Sequence, residues 1–328
     1  MKGIIQRFRR ALSRRRYQVI IGLVAAFMII PYLIPLPKPA EAGTPGDLAD
    51  PDGLFAEIDG IEVHYKLWPG GDRSLVLLHG FGASLFSWRE VAPELAGNRT
   101  VLAFDRVGFG LTERPLPGDW DRGNPYTAEA AVNLTLAIMD DLGIGRAVLI
   151  GHSAGGTLAT LVALEHPELV EALVLVDPAI YQEGHRIPGI LGRIPPFRRI
   201  LRLFIGSIGT WGRSILNRSW HDPTRITPEI LEGYEKPLRV ENWDVALLEF
   251  TLASRNLKLA ERVGSLDLPV LVVTGDDDRI VPTEDSIRLA GEIPGCLLSV
   301  IPECGHLPHE ERPEAFLDAL LPFIKGLG

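Results

Sequence analysis

Cysteine is scarce in this 328-residue chain, which has only Cys296 and Cys304. Two thiols do not make the disulfide framework of a small secreted scaffold. They also flank a run read as a strand, which at ~3.3 Å per residue holds its ends about 25 Å apart, too far to bridge. Basic charge is short as well. Beyond residue 42 there are 25 basic against 41 acidic residues, a net of −16. A domain that acidic repels phosphate backbones, so nucleic acid is excluded as a natural partner. No internal repeat is present.

What the chain does have begins at its N-terminus. Lys2, Arg7, Arg9, Arg10, Arg14, Arg15 and Arg16 precede an uncharged stretch from Tyr17 to Pro37, whose core, Val19 to Ile30, is apolar but for Gly22. Basic residues on one side only predict an N-terminus left in the cytoplasm and an exported remainder. Two readings stay open. The stretch is long enough to span a bilayer, which favours a retained anchor. Pro31, Pro35 and Pro37 are expected to break its second half, and Ala40-Glu41-Ala42 has the form of a signal-peptidase site, which would release the protein after Ala42. Ser13-Arg14-Arg15-Arg16-Tyr17 partly matches a twin-arginine export signal, although Gln18 departs from it. The anchor is the preferred reading, and either way the main domain lies outside the cytoplasm.

Residues 43–52 read as a linker rich in Gly, Pro and Asp. Strand-like and helix-like segments then alternate. A hairpin is expected around Gly60 from Phe55–Asp59 and Ile61–Leu67. Buried runs follow at Ser74–Leu78, Val101–Phe104, Ala147–Ile150, Ala172–Val176, Val270–Val273 and Leu297–Ile301. Helical patterns fall at Phe86–Leu95, Thr127–Leu142, Ala154–Glu165, Glu284–Ile293 and Glu314–Ile324. This rhythm predicts an α/β fold, with a mostly parallel sheet carrying helices on both faces. It fails over 180–263, which should be a helical insertion placed over the carboxyl ends of the strands, where such sheets bind ligands. The expected divisions are 1–42, the linker, a first core part at 53–179, a helical cap at 180–263 and a second core part at 264–328.

Ser153 is the most informative residue. Val148-Leu149-Ile150-Gly151-His152-Ser153-Ala154-Gly155-Gly156 reads as a strand, a sharp turn and the start of a helix. Gly151 and Gly155 supply the absent Cβ that such a turn needs, and the helix N-terminus behind Ser153 favours developing negative charge. A nucleophilic serine requires a base, an acid to orient the base, and donors for an oxyanion. The candidate base is His306, on the loop after the last strand. The candidate acid is Asp278, on the loop after the preceding strand, with Asp276 and Asp277 as rivals. The N–H groups of Ala154 and of Phe81, in His79-Gly80-Phe81-Gly82, would form the oxyanion hole; one such donor is worth about 3 kcal/mol of barrier.

Taken together, the motifs resemble those of the α/β-hydrolase superfamily, in its single-domain serine hydrolases with a helical cap. The resemblance covers residues 53–328. It rests on H-G-F-G at 79–82, D-R-V-G-F-G at 105–110, G-H-S-A-G-G at 151–156, G-D-D-D-R-I-V-P at 275–282 and G-H-L-P-H-E-E-R-P at 305–313. It implies an eight-stranded sheet with the cap inserted after strand 6, and it selects Asp278 as the acid. Asp177 occupies a position where some relatives carry that acid, and Glu311 one that usually steadies the histidine loop. Asp105 and Arg106 are expected to brace loops, and His79 and His152 to pack beside the site. Trp88 either lines an acyl pocket or anchors its helix to the sheet.

Single residues separate the chain from several relatives. Dehalogenases and epoxide hydrolases carry aspartate at the position of Ser153. Carbon–carbon bond hydrolases usually have tryptophan where this chain has Leu307, and Asn-Ser-Met where it has His152-Ser153-Ala154. The three-glycine oxyanion loop of another esterase group is replaced by His79-Gly80-Phe81-Gly82. The resemblance therefore implies a carboxylesterase or acylglycerol-lipase-like enzyme acting on a small-molecule ester or lipid-like substrate, with no metal and no cofactor. A carbon–carbon or amide hydrolase with the same triad, and a non-catalytic binding protein on this fold, are the alternatives. The basic and apolar run Phe197–Ile205 is read as a cap helix roofing the pocket, or as a surface that grazes anionic lipid.

Overall fold

In the computed structural model, each strand sends alternate side chains to opposite faces, and this sorts the core into two layers. The structure describes residues 2–36, 41–97, 99–182 and 191–327, without the side chains of 2–14, 209 and 210. Eight strands make one sheet: β1 (Leu54–Ile58), β2 (Ile61–Trp68), β3 (Ser74–Leu78), β4 (Thr100–Phe104), β5 (Ala147–His152), β6 (Val170–Val176), β7 (Val270–Gly275) and β8 (Leu297–Ile301). Their order is β1-β2-β4-β3-β5-β6-β7-β8. Only the pairs β1–β2 and β2–β4 are antiparallel; the rest are parallel. This is the expected mostly parallel sheet, entered through the expected hairpin.

The helices are α1 (Lys2–Leu33), α2 (Pro45–Leu48), α3 (Ala92–Ala96), α4 (Ala128–Asp141), α5 (Ala154–Glu165), α6 (Pro195–Gly206), α7 (Ile208–Ser219), α8 (Pro228–Glu235), α9 (Trp243–Ala253), α10 (Thr283–Glu292), α11 (Pro308–Glu311) and α12 (Pro313–Lys325). On one face, Val76 and Leu78 of β3 and Leu149 of β5 pack with Ile138 of α4, Leu158 of α5 and Leu289 of α10. On the other, Leu75, Leu77, Val148 and Ile150 pack with Trp88, with Leu95 of α3 and with Phe316 and Leu320 of α12. Ile150 is fully buried at the sheet centre, so truncation to Ala would cost about 2–5 kcal/mol.

Between β6 and β7 the described residues form α6 to α9 and short 3-10 turns, with no strand; residues 183–190 of this segment lie outside the described residues. Three local expectations need correction. The helix read over Phe86–Leu95 splits into a 3-10 turn at Leu85–Trp88 and α3, because Pro93 starts a helix rather than continuing one. Helix α1 runs through Pro31 to Leu33, since a proline this near the end removes only one hydrogen bond. It ends where Pro35 disfavours helical geometry for Ile34; Pro37 and Ala40 lie outside the described residues. The stretch read as linker contains α2, capped by Thr44. Its Asp50 is bound by Lys66 at 2.8 Å and Lys236 at 2.7 Å, which ties it to both β2 and the helical segment.

Candidate active site

Strand β5 delivers Ser153 to the carboxyl edge of the sheet, and the turn there is tight. Ser153 has φ 51° and ψ −116°, a backbone conformation that costs a non-glycine residue about 1–3 kcal/mol. The surroundings hold it: its N–H donates to the Val176 carbonyl at 2.8 Å and its carbonyl accepts from Ala179 N–H at 3.2 Å. A Cβ on Gly151 would stand 2.4 Å from the Gly155 carbonyl oxygen, and one on Gly155 2.0 Å from that of Leu78. The absence of side chains at both positions is what lets α5 close against β5 and β3.

The loops after β7 and β8 bring the other two expected residues together. His306 Nδ1 lies 2.6 Å from Asp278 Oδ2, and both side chains are buried. Asp278 Oδ1 accepts from the N–H groups of Ile280 at 2.8 Å and Val281 at 3.0 Å, which fixes the carboxylate plane. The rivals are occupied elsewhere: Asp276 accepts from Cys304 N–H, and Asp277 pairs with His221 and Arg279. Asp177 is close but differently engaged, accepting from Thr274 Oγ1 at 2.7 Å and Gly275 N–H at 3.2 Å. One ligand atom each from Asp177, Asp278 and His306 falls within 4.8 Å of the others. That spacing would also suit an ion, but the direct 2.6 Å bond leaves none room between Nδ1 and Oδ2.

Ser153 Oγ makes no hydrogen bond among the described residues, so the link from hydroxyl to imidazole is open in this arrangement. The two loops nonetheless touch. The ring of His152, next to Ser153, packs 4.7 Å from that of His306, and its Nε2–H donates to the His306 carbonyl at 2.9 Å. Catalytic hydrogen bonds in unliganded sites are often long and tighten when substrate enters.

The loop after β3 lies against the elbow, since a Cβ on Gly80 would fall 3.3 Å from Ser153 Cβ. His79 holds this loop by donating from Nδ1 to the Gly80 carbonyl and accepting the Arg106 N–H at Nε2. Burial, with the Arg106 charge, drops its pKa to about 3. The N–H groups of Phe81 and Ala154 have no acceptor among the described residues. Around them stands an aromatic wall: the half-exposed Phe81 ring contacts Phe109 at 5.8 Å and Phe250 of α9 at 5.7 Å. Trp88 is no part of it. It is wholly buried and packs 4.3 Å from the His309 ring, so its indole fastens the turn to the sheet rather than lining a pocket.

Buried acids brace the site. Asp105 takes His64 Nδ1 at 2.7 Å, Leu85 N–H at 2.7 Å and Leu111 N–H at 2.8 Å. Glu311 takes three backbone donors, Gly305 at 2.8 Å, Asp222 at 2.9 Å and His221 at 3.0 Å. It thus locks the His306 loop to the end of the α7 segment, which also receives His306 N–H at the Ser219 carbonyl, 2.7 Å away. Glu310 holds Arg89 and the Tyr234 hydroxyl of α8. Sequence reasoning flagged Glu311 for the histidine loop but missed its reach to His221 and Asp222. It missed Glu310 altogether, although the Glu-Glu pair in H-E-E-R-P was in view.

A family model described as "Alpha/beta hydrolase family" matches residues 75–319. The chain belongs to that family. It is 32% identical over 270 residues to "Uncharacterized hydrolase YugF" of Bacillus subtilis (strain 168), covering 82% of this chain and 96% of that one. It is 29% identical over 266 residues to 2-hydroxymuconate semialdehyde hydrolase of Pseudomonas sp. (strain CF600), covering 78% and 88%. In fold it is similar to a membrane phospholipase A described as a bacterial virulence factor, with TM-score 0.66 and 21% identity over 100% of this chain and 99% of that one. At that identity the likeness concerns fold alone.

Proposed function

We propose that the protein is a serine hydrolase that cleaves a carboxylic ester through an acyl-enzyme. The observation that carries the reading is the buried 2.6 Å pair of His306 and Asp278 on loops adjoining a strained, buried Ser153 at the carboxyl end of β5. Asp278 orients the imidazole with its proton on Nδ1, leaving Nε2 to take the Ser153 proton as Oγ attacks the ester carbonyl. The N–H groups of Phe81 and Ala154 receive the oxyanion. Protonated His306 then gives its proton to the departing alcohol, and water repeats the sequence to release the acid. The wall of Phe81, Phe109 and Phe250 suits an apolar acyl chain, which supports a lipid-like substrate.

A second reading has its own support. The relative from Pseudomonas sp. is named a 2-hydroxymuconate semialdehyde hydrolase, and the same triad would serve carbon–carbon cleavage. Leu307 speaks for ester cleavage: it packs with Leu216 and Trp220 where those enzymes usually present tryptophan. Helix α1 supports a membrane anchor with the hydrolase domain outside the cytoplasm. Its window Arg15–Leu33 is 19 residues long and hardly buried by the rest of the chain, about 28 Å of helix against a hydrocarbon core of about 30 Å.

Fluorophosphonate should label the wild type and not Ser153→Ala. A folded wild type that resists labelling would make the protein a binding module. A labelled enzyme inert on p-nitrophenyl esters of every chain length would favour carbon–carbon or amide cleavage. A mature N-terminus at Gly43 would eliminate the anchor.

A further inference from the structure

We propose that the outer face of α6 and α7 docks on the anionic bilayer that anchors α1, so that the helical segment lies on the membrane surface. This rests on the reading of α1 as an anchor. The two are joined by Arg199 of α6, whose Nη2 donates to the Ile34 carbonyl at 2.8 Å and whose Nε donates to that of Pro31 at 3.2 Å. Its guanidinium also stands 5.9 Å from the Tyr32 ring. These are carbonyls that the end of a helix leaves unpaired, so α6 is pinned where the apolar window stops, at the level of lipid headgroups.

Helix α6 is apolar on two sides. Leu201 and Ile205 face inward, packing with Trp243, Leu247 and Leu248 of α9. Ile200 and Phe204 face outward, 38% and 65% exposed, and Ile215 of α7 adds a third exposed side chain at 46%. Phe204 stacks on Trp211 of α7 at 5.9 Å. Phe204 lies five residues beyond Arg199, or about 7.5 Å along the helix, so the aromatic pair sits next to the point where α1 emerges. Scattered exposed apolar residues need no explanation, but these occupy adjoining helices at the membrane exit.

Charge points to anionic lipid as the occupant. Arg198 is neutralised by Glu249 and Arg202 by Asp244, whereas Arg199 meets no carboxylate among the described residues. A helix of this kind lies in the interface with its apolar side buried about 5–10 Å and its arginine reaching headgroups. The inner face of α6 shares a cluster with Phe109 and Phe250 of the aromatic wall. Only the thickness of α6 therefore separates lipid from the proposed acyl site, which suits an ester substrate drawn from the bilayer.

The test uses the full chain in nanodiscs of phosphatidylcholine and phosphatidylglycerol, on a Cys296→Ser background. Bimane is placed singly at Phe27→Cys in α1, at Phe204→Cys, and at Ile287→Cys, an equally apolar exposed site on α10. Lipids brominated in the upper acyl chain should quench positions 27 and 204 by about threefold and leave 287 unchanged, with less quenching at 204 when phosphatidylglycerol is omitted. Quenching at 27 but not at 204 would overturn the docking surface and leave the anchor standing. Loss of quenching at 27 would end both. Energy transfer between copies labelled at 204, without lipid quenching there, would give the face to a second copy of the chain and refute the proposal.

Discussion

Glu311→Gln isolates the clasp between the histidine loop and the helical segment. In the native structure one carboxylate oxygen accepts from Gly305 and His221 N–H, and the other from Asp222 N–H. A glutamine keeps its single carbonyl oxygen for the first pair and must turn its NH2 toward the Asp222 N–H. One charge-assisted bond is lost, two are weakened, and two donors face each other in a fully buried site. With such bonds worth about 1.5–3 kcal/mol each, the expected destabilisation is about 2–4 kcal/mol. For a domain of this size that lowers Tm by roughly 3–7 °C, read by near-UV circular dichroism. Because Gly305 precedes His306, kcat should also fall, by about 10–100-fold with KM little changed, as expected of a base displaced by an ångström or less. The exposed Glu314→Gln is the control. A Glu311→Gln enzyme with unchanged Tm and full kcat would refute the idea that this carboxylate positions the base.

Asp278→Asn should be more severe for rate and mild for stability. The Ile280 and Val281 N–H groups retain the amide oxygen, so the NH2 confronts His306 and forces the wrong tautomer; steady-state kinetics should show kcat down about 10³–10⁴-fold. Gly305→Ala would place a Cβ 2.3 Å from the Ser219 carbonyl oxygen and 2.8 Å from His221 N, and denaturant unfolding should report a loss of about 1–3 kcal/mol. Burial acts to raise the pKa of Asp50, but the bonds from Lys236 and Lys66 outweigh it and bring the value from 3.8 down to about 2. A depressed carboxylate contributes stability above its unfolded pKa and loses it as pH falls, here between about pH 4 and 2. Asp50→Asn should therefore flatten acid unfolding in that window and leave its slope at higher pH alone.

How much was legible beforehand follows from what a linear pattern encodes. The strands Ser74–Leu78 and Leu297–Ile301 were readable to the residue, because an apolar run bounded by turn formers has few other uses. Only the first is buried: the second is the edge strand, and Leu297, Leu298 and Val300 are exposed against the expectation of a buried run. Ser153 was readable because a strained elbow demands small neighbours at fixed offsets. The pairing of His306 with Asp278 was readable in outline, but the choice among three consecutive aspartates needed the resemblance, since only loop geometry tells which one turns inward. The contacts of Glu311 with His221 and Asp222 join positions about 90 apart through backbone N–H groups. No side-chain pattern records such donors. Trp88 stayed open between pocket and anchor for a related reason: a tryptophan between Ser87 and Arg89 gives no sign of which way its ring turns.

The electrostatics of the site supply the remaining step. Burial holds His152 and His309 well below the ordinary histidine range, with nearby His306 and Arg89 adding to the effect, and His79 lies lower than solution values too. Burial, together with the neighbouring Asp278, pushes the Asp177 carboxyl well above its usual range. The three imidazoles around His306 are thus held in their neutral form at physiological pH, and the Asp177 carboxyl is pushed toward its own neutral form. In the proposed mechanism, a proton arriving on His306 from Ser153 meets no competing positive imidazole, while the Asp278 side chain, held in plane by two backbone donors, lies against the far nitrogen. The neutral neighbours leave that single contact to set the local charge, because in a water-poor interior an added charge nearby would act several times more strongly than in water. Replacing His152 with a permanently charged residue should therefore damage proton transfer more than its lost hydrogen bond accounts for, and His152→Gln, which keeps a donor for the His306 carbonyl, should retain most of the rate.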